Sequence, residues 1–347
     1  MRAGRLELRR VRMDLVSPFR TSFGSQTDRD ILLLRFEGVD GVELVLEQHL
    51  WPRLRAAGDL TTADIAEILE PVRGHPMAKA AVEMAALDAE LRASNTDLRT
   101  HFGATRDRVP SGVSVGIHPT INDLLAAVDG YIRDGYARIK LKIEPGWDIE
   151  PVREVRALIG ADTGLQVDAN TAYGRDDIDH LCRLDEFDLL LIEQPMAEED
   201  LIGHARLAAA SSTPVCLDES IVSAQTARDA IELGAAEVVN IKPGRVGGYL
   251  EARRIHDHCL NLGVPVWCGG MLETGIGRAA NAALAALDGF TLPGDISASA
   301  RFWARDIVLD PITVEEGSVA VPDAPGLGYD LDLDELERVT YRTRLLD

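Results

Sequence analysis

Five charged residues recur along the middle of the chain at the spacing of one strand-plus-helix unit, and this limits the fold more than any other feature. Asp168 follows Lys142 by 26 residues, Glu193 follows Asp168 by 25, Asp218 comes 25 later and Lys242 another 24. The last four end short apolar runs: Gly164-Leu165-Gln166-Val167-Asp168, Leu189-Leu190-Leu191-Ile192-Glu193, Pro214-Val215-Cys216-Leu217-Asp218 and Val238-Val239-Asn240-Ile241-Lys242. Charges at the carboxyl ends of successive buried strands are where a β/α barrel builds its active site.

The rhythm around them runs from Val109 to about residue 293. It predicts strands at 111–116, 138–143, 164–168, 189–193, 214–218, 238–242, 264–268 and 290–293, with helices between them. Eight such strands make a parallel sheet, and 347 residues hold a barrel of about 250 plus a smaller domain. An open doubly wound sheet shares the alternation, but no glycine-rich phosphate loop follows the first strand. The expected fold is α/β, a modified TIM barrel of (β/α)7β type at 106–304 behind an N-terminal α+β capping domain at 1–105. That domain predicts strands over 5–15 and 30–37 around a polar loop at 17–25. Helices follow over 42–56, over 61–72 behind Thr61-Thr62-Ala63-Asp64, and over 76–93. The tail, 305–347, holds strand-like Ile307-Val308-Leu309 and Ser318-Val319-Ala320-Val321 and is expected to return to the capping domain.

A net charge of −21 argues against nucleic acid or an anionic membrane as partner. No apolar run approaches the roughly 20 residues that span a bilayer, and Met1 to Glu7 lacks a signal-peptide core. A cytoplasmic protein is the expectation. Cys182, Cys216, Cys259 and Cys268 show no metal-ligand or redox spacing and are expected to be reduced thiols. Of the 36 basic residues only four are lysines, namely Lys79, Lys140, Lys142 and Lys242, and three of them sit at strand ends. Arginine holds its proton permanently, whereas a desolvated lysine gives it up.

Asp168, Glu193 and Asp218, on neighbouring strands, converge at the barrel mouth. Three carboxylates there repel one another, so a divalent cation is the natural resolution. All-oxygen ligands suit Mg²⁺, with Mn²⁺ as substitute, and the absence of His and Cys disfavours zinc. Lys140 and Lys142, two apart on a strand, point to the same interior face. Two ammonium groups near a cation lower the pKa of one, as a general base requires. A small carboxylate substrate held between Lys142 and Lys242 can lose an α-proton to one and regain it from the other, with the cation stabilising the enediolate. A Schiff-base aldolase also uses a barrel lysine, but leaves the aligned carboxylates unexplained.

Six motifs stand in order: Lys140-Leu141-Lys142, Asp168-Ala169-Asn170, Glu193-Gln194-Pro195, Leu217-Asp218-Glu219-Ser220, Asn240-Ile241-Lys242-Pro243-Gly244-Arg245-Val246-Gly247-Gly248 and Trp267-Cys268-Gly269-Gly270-Met271-Leu272-Glu273-Thr274-Gly275-Ile276-Gly277. Together they closely resemble the enolase superfamily, and within it the muconate-lactonizing-enzyme-like group of o-succinylbenzoate synthases and N-succinylamino acid racemases. The resemblance resumes in Pro18-Phe19-Arg20-Thr21-Ser22-Phe23-Gly24 and in the 76–93 helix. It implies that Asp168, Glu193 and Asp218 bind Mg²⁺, that Lys142 removes the α-proton, and that Lys242 faces it across the substrate, with Lys140 beside them. In the synthase reaction, on the menaquinone pathway, Lys142 returns its proton to the departing hydroxyl. In the racemase reaction, on N-acylamino acids, the two lysines act on opposite faces. Ser114, Gly270, Met271, Leu272 and Phe19 are placed to shape the substrate pocket. Asn170 and Glu219 are placed to hold ligands and lysines in position, and Arg245 to tune Lys242 by like charge. A homo-oligomer is implied as well.

One stretch departs from that family. Phe36-Glu37-Gly38-Val39-Asp40-Gly41 leads directly into Val42-Glu43-Leu44-Val45, where relatives of this kind continue into a third strand and a second capping loop. The capping domain is therefore expected to lack both, leaving a more open site, an impaired enzyme, or a silent relative kept for assembly.

Overall fold

The computed structural model describes residues 6–36, 38–40 and 45–346, with backbone alone for 35, 36 and 38–40. Strands β1 (Leu6–Thr21) and β2 (Gly24–Phe36) form a long antiparallel hairpin. The stretch expected as a loop is shorter than its composition suggests. Phe19, Arg20 and Thr21 pair with Gln26, Ser25 and Gly24, so only Ser22 and Phe23 remain in the turn. Pairing uses backbone groups alone, and the break in register between Asp14 and Phe19 keeps Pro18, which has no N–H, out of the ladder. Gly24, at φ 129°, supplies a conformation that other residues rarely adopt.

The third strand is present in reduced form. Strand β3 (Gly38–Asp40) pairs with β2 through Leu34 with Asp40 and Arg35 with Val39. The sequence reading missed it because Gly and Asp signal a turn, whereas the free edge of β2 offers backbone partners to whatever follows. The expected loss of the second capping loop and the expected helix start at 42 fall on 41–44, outside the described residues. Helical segments Leu46–Leu50, Trp51–Ala57, Thr62–Leu69 and Pro76–Ala93 follow. They bury Leu46, Leu50, Trp51, Ile65 and Val82 with Leu6, Leu8 and Leu34 of the hairpin in a core of their own. Asp64 accepts from the Thr61 amide at 2.7 Å, as the capping signal predicts.

Beyond β4 (Arg108–Pro110), parallel strands alternate with helices: β5 (Gly112–Val115), β6 (Arg138–Lys142), β7 (Gly164–Asp168), β8 (Ile192–Glu193), β9 (Val215–Leu217), β10 (Val238–Ile241) and β11 (Val266–Cys268). Their order, β11-β10-β9-β8-β7-β6-β5, is that of a sheet curling into a barrel. The eighth place differs from the sequence reading. Residues 290–294 close the ring through isolated parallel bridges, Phe290 to Val266 and Gly294 to Ser111. Pro293 removes a ladder donor just where a regular strand needs one.

In the tail, β12 (Ser318–Ala320) pairs with β4 at the barrel. Strand β13 (Thr340–Leu346) pairs with β1, giving the capping sheet the order β13-β1-β2-β3. The four cysteines are free thiols, three of them buried.

Candidate active site

Alternation along β6 points Arg138, Lys140 and Lys142 into the barrel, all of them buried. Asp168 and Glu193 end β7 and β8, and Asp218 follows β9; all three are fully buried. Lys242 follows β10, four places from β6 round an eight-place ring, so the two lysine-bearing strands face each other. Left-handed backbone at Asn170 (φ 41°) and Gln194 (φ 37°) turns the chain sharply just past two of the acids.

Among the described residues no three acids or histidines stand as a ready-made cation cage. Each carboxylate is taken up by an ammonium group. Lys140 Nζ lies 2.9 Å from Glu193 Oε2, 3.2 Å from Asp168 Oδ2 and 2.7 Å from Asp295 Oδ2. Lys142 Nζ donates to Asp168 Oδ2 at 2.6 Å and to Asn170 Oδ1 at 2.7 Å. Lys242 Nζ donates to Asp218 Oδ2 at 2.6 Å. Asn170 in turn donates to Glu219 Oε1 at 3.1 Å, and Asn240 to Glu193 Oε1 at 2.8 Å. Arg245 Nε stands 3.3 Å from Asp218 Oδ1 as a charge partner.

The electrostatics follow from that pairing. Burial, then repulsion from Asp168, pushes the Glu193 carboxyl up to about 8 despite Lys140. Burial opposes ionisation of Asp168 too, yet Lys142 and Lys140 hold it well below the usual range. Asp218 is likewise lowered against its burial, by Lys242 and Arg245. Burial, then Asp218 and Asp168, raises Glu219 to about 7. Burial opposes the charge on Lys140, but Asp295 and Glu193 raise its pKa. Burial opposes that on Lys242 as well, but Asp218 raises it. The sequence reading expected like charge to loosen one lysine proton; for Lys140 and Lys242 the facing acids outweigh that repulsion.

A cavity of about 400 Å³ opens above these groups. Lys140, Lys142 and Lys242 line it, with Asn170, Glu219, Arg245, Ser114, Gly270, Met271, Leu272 and Phe19, while Asp168, Glu193 and Asp218 lie beneath. Three further residues escaped the sequence reading. Asp295, after the eighth place, accepts from Arg138 at 2.8 Å as well as from Lys140. Arg278 is fully buried against backbone carbonyls, and Arg301 forms part of the wall. Two more arginines among so many carry no signal, and Asp295 follows a segment without regular pairing.

The donor set is of the type a hard divalent cation takes: three buried carboxylates at the ends of neighbouring strands, one forced towards protonation, and Asp218 Oδ1 without a hydrogen-bond donor.

Barrel, cap and buried acid-lysine cluster together define a barrel enzyme with its chemistry at the carboxyl ends of the strands. A family model described as "Enolase C-terminal domain-like" matches residues 123–336, and the chain belongs to the enolase superfamily. An N-succinylamino acid racemase from an Amycolatopsis species is 56% identical over 98% of each chain. An o-succinylbenzoate synthase from Geobacillus kaustophilus is 43% identical over 97% of this chain and 96% of the other. The crystal structure of an enolase superfamily member from Listeria innocua has a TM-score of 0.93 at 37% identity, covering 100% of this chain and 99% of that one. Members of this superfamily depend on a divalent metal, and no helix of the described residues is long and apolar enough to cross a membrane.

Proposed function

We propose that the protein removes a proton next to a substrate carboxylate, and that its reaction is the dehydration that forms o-succinylbenzoate. The observation that carries this reading is the placing of Lys142 and Lys242 on facing strands of one cavity, above three buried carboxylates. Asp168, Glu193 and Asp218 would hold Mg²⁺, or Mn²⁺ in its place. The cation would supply positive charge for the electrons that the departing proton leaves on the substrate carboxylate.

The chain's own residues do the rest. With its acid partner engaged elsewhere, Lys142 takes the α-proton and returns it to the leaving hydroxyl, while Lys242 stays cationic and steadies the developing charge. Asn170, bonded to both Lys142 and Glu219, fixes where that ammonium points. Arg245 competes with Lys242 for Asp218, so it tunes how firmly Lys242 holds its proton. Ser114, Gly270, Met271, Leu272 and Phe19 shape the space around the substrate.

Racemisation of N-succinylamino acids is the second reading. It uses the same two lysines on opposite faces, and the 56% identity with a racemase favours it specifically. We place the enzyme in the cytoplasm as a homo-oligomer, with a cap at 1–105, a barrel at 106–304 and a returning tail at 305–347. The test follows absorbance as purified protein with Mg²⁺ consumes the synthase substrate. Rapid loss that Lys142→Ala abolishes supports dehydration. Loss that survives the substitution, or none in the wild type, removes it.

A further inference from the structure

Lys140 stands between acids on two sides. Its Nζ lies 2.9 Å from Glu193 and 3.2 Å from Asp168, but closest of all, at 2.7 Å, to Asp295. Asp168 and Glu193 end β7 and β8, next after β6 in the ring, whereas Asp295 follows the eighth place, beyond β5 in the other direction. Anything reaching across from there has to pass over β5, and Gly112 leaves the way clear. It pairs in register with Arg138, and a Cβ on it would stand 2.3 Å from the Arg138 guanidinium carbon. Arg138 runs through that gap, donating to the Pro293 carbonyl at 2.7 Å and to Asp295 Oδ1 at 2.8 Å. The Asp295 amide donates to the Cys268 carbonyl at 2.9 Å, so this acid is fixed at both ends while its Oδ2 faces Lys140. Trp267 lies under both cations, with its ring centroid 4.7 Å from Lys140 Nζ and 5.2 Å from the Arg138 guanidinium.

We propose that Asp295 is a positioning residue for the metal centre: it competes with Asp168 and Glu193 for Lys140, and so weakens the hold of that ammonium on two carboxylates that take the cation. An ammonium shared among three buried acids divides its attraction between them. Without the nearest, it turns wholly onto the other two, and a divalent ion then has to displace it from the same oxygens. Arg138 serves this arrangement at one remove, by keeping Asp295 in place. The proposal rests on reading Asp168, Glu193 and Asp218 as the Mg²⁺ ligands.

Calorimetric titration with Mg²⁺ tests it without turnover, in wild type, Asp295→Asn, Lys140→Met and the double variant, each checked for a cooperative thermal transition. Asp295→Asn should weaken Mg²⁺ binding about tenfold, the lower end of what an outer partner in a metal site is worth. In the Lys140→Met background the same change should cost less than about threefold, because only the loss of one more distant negative charge remains. Equal losses in the two backgrounds would mean that Asp295 acts by charge alone, and would overturn the proposal. Asp295→Glu keeps the charge but moves it by one methylene, so it should also weaken Mg²⁺, by about threefold or more. Should Asp295→Asn not fold, an affinity equal to that of wild type in Asp295→Glu overturns the proposal. Mg²⁺ binding that Asp168→Asn abolishes and both Asp295 variants leave unchanged sinks this inference and keeps the metal reading. Wild type that takes up no Mg²⁺ sinks both.

Discussion

Lys242 is fitted closely enough that one added methyl group tests its role. A Cβ on Gly269 would stand 2.6 Å from Lys242 Cε and collide with the Asn240 side chain. Where both lysines exchange protons, as racemisation requires, Gly269→Ala should therefore slow α-proton exchange at the face Lys242 serves by about 100-fold, since misplacement by about an ångström costs that much. Exchange at the Lys142 face should fall far less, and NMR of each enantiomer in deuterated buffer reads both. Equal losses at the two faces would contradict the assignment. Lys142→Ala should lower kcat by about 10²- to 10⁴-fold, the usual worth of a general base. These two lysines and the three acids were legible because they recur at a fixed period and the last four each close an apolar run. Asp295 and Arg301 were not, because neither follows a regular strand and the chain is crowded with arginine.

Gln194 joins elements rather than touching substrate. Its Oε1 accepts from the amides of Asp218 and Ser220 at 2.9 and 3.2 Å, and its Nε2 donates to Ser220 Oγ at 2.8 Å. Glu193 and Asp218, at the ends of β8 and β9, are thereby set in fixed relation. Gln194→Ala leaves buried amides unpartnered and should cost about 2 to 3 kcal/mol in denaturant unfolding. Glu83, on the Pro76–Ala93 helix, plays a similar part between cap and barrel. It accepts from the Leu250 amide at 3.1 Å, and a Cβ at Gly248 would collide with it. Burial pushes the Glu83 carboxyl up to about 7. A folded pKa raised above the ordinary 4.5 means that the folded state binds the extra proton. That stability is full below pH 4.5 and lost as pH rises through about 7, by roughly 3 kcal/mol at most. Glu83→Gln should flatten this part of the pH profile of thermal unfolding and raise Tm at pH 8. At this scale the barrel strands were legible from their period. The eighth place was legible too, at 290–293, but not its want of regular pairing, which comes from Pro293 breaking the ladder. Strand β13 leaves no apolar signature, because Thr340-Tyr341-Arg342-Thr343-Arg344 is polar and held by pairing with β1.

For the whole molecule, among the described residues the cap reaches the pocket through the β1–β2 hairpin alone, from Phe19 to Arg29. Ser22 Oγ reaches the Ala169 carbonyl at 3.2 Å, and Arg20 pairs with Glu144 at 2.8 Å. The hairpin thus touches the barrel beside the acids. Divalent metal joins these parts thermodynamically, because an ion bound only by the folded state raises its stability. At 100 times its Kd, Mg²⁺ should add about 2.7 kcal/mol, or several degrees of Tm, and Asp168→Asn should abolish the shift. A silent scaffold with no metal function would show no shift in either protein. The most direct test of the two-lysine account follows α-proton exchange of D- and L-N-succinylphenylglycine separately in deuterated buffer with Mg²⁺, for wild type, Lys142→Ala and Lys242→Ala. The account predicts that wild type exchanges both enantiomers, and that each variant loses one enantiomer and keeps the other. Loss of both in each variant, or of neither, would contradict it.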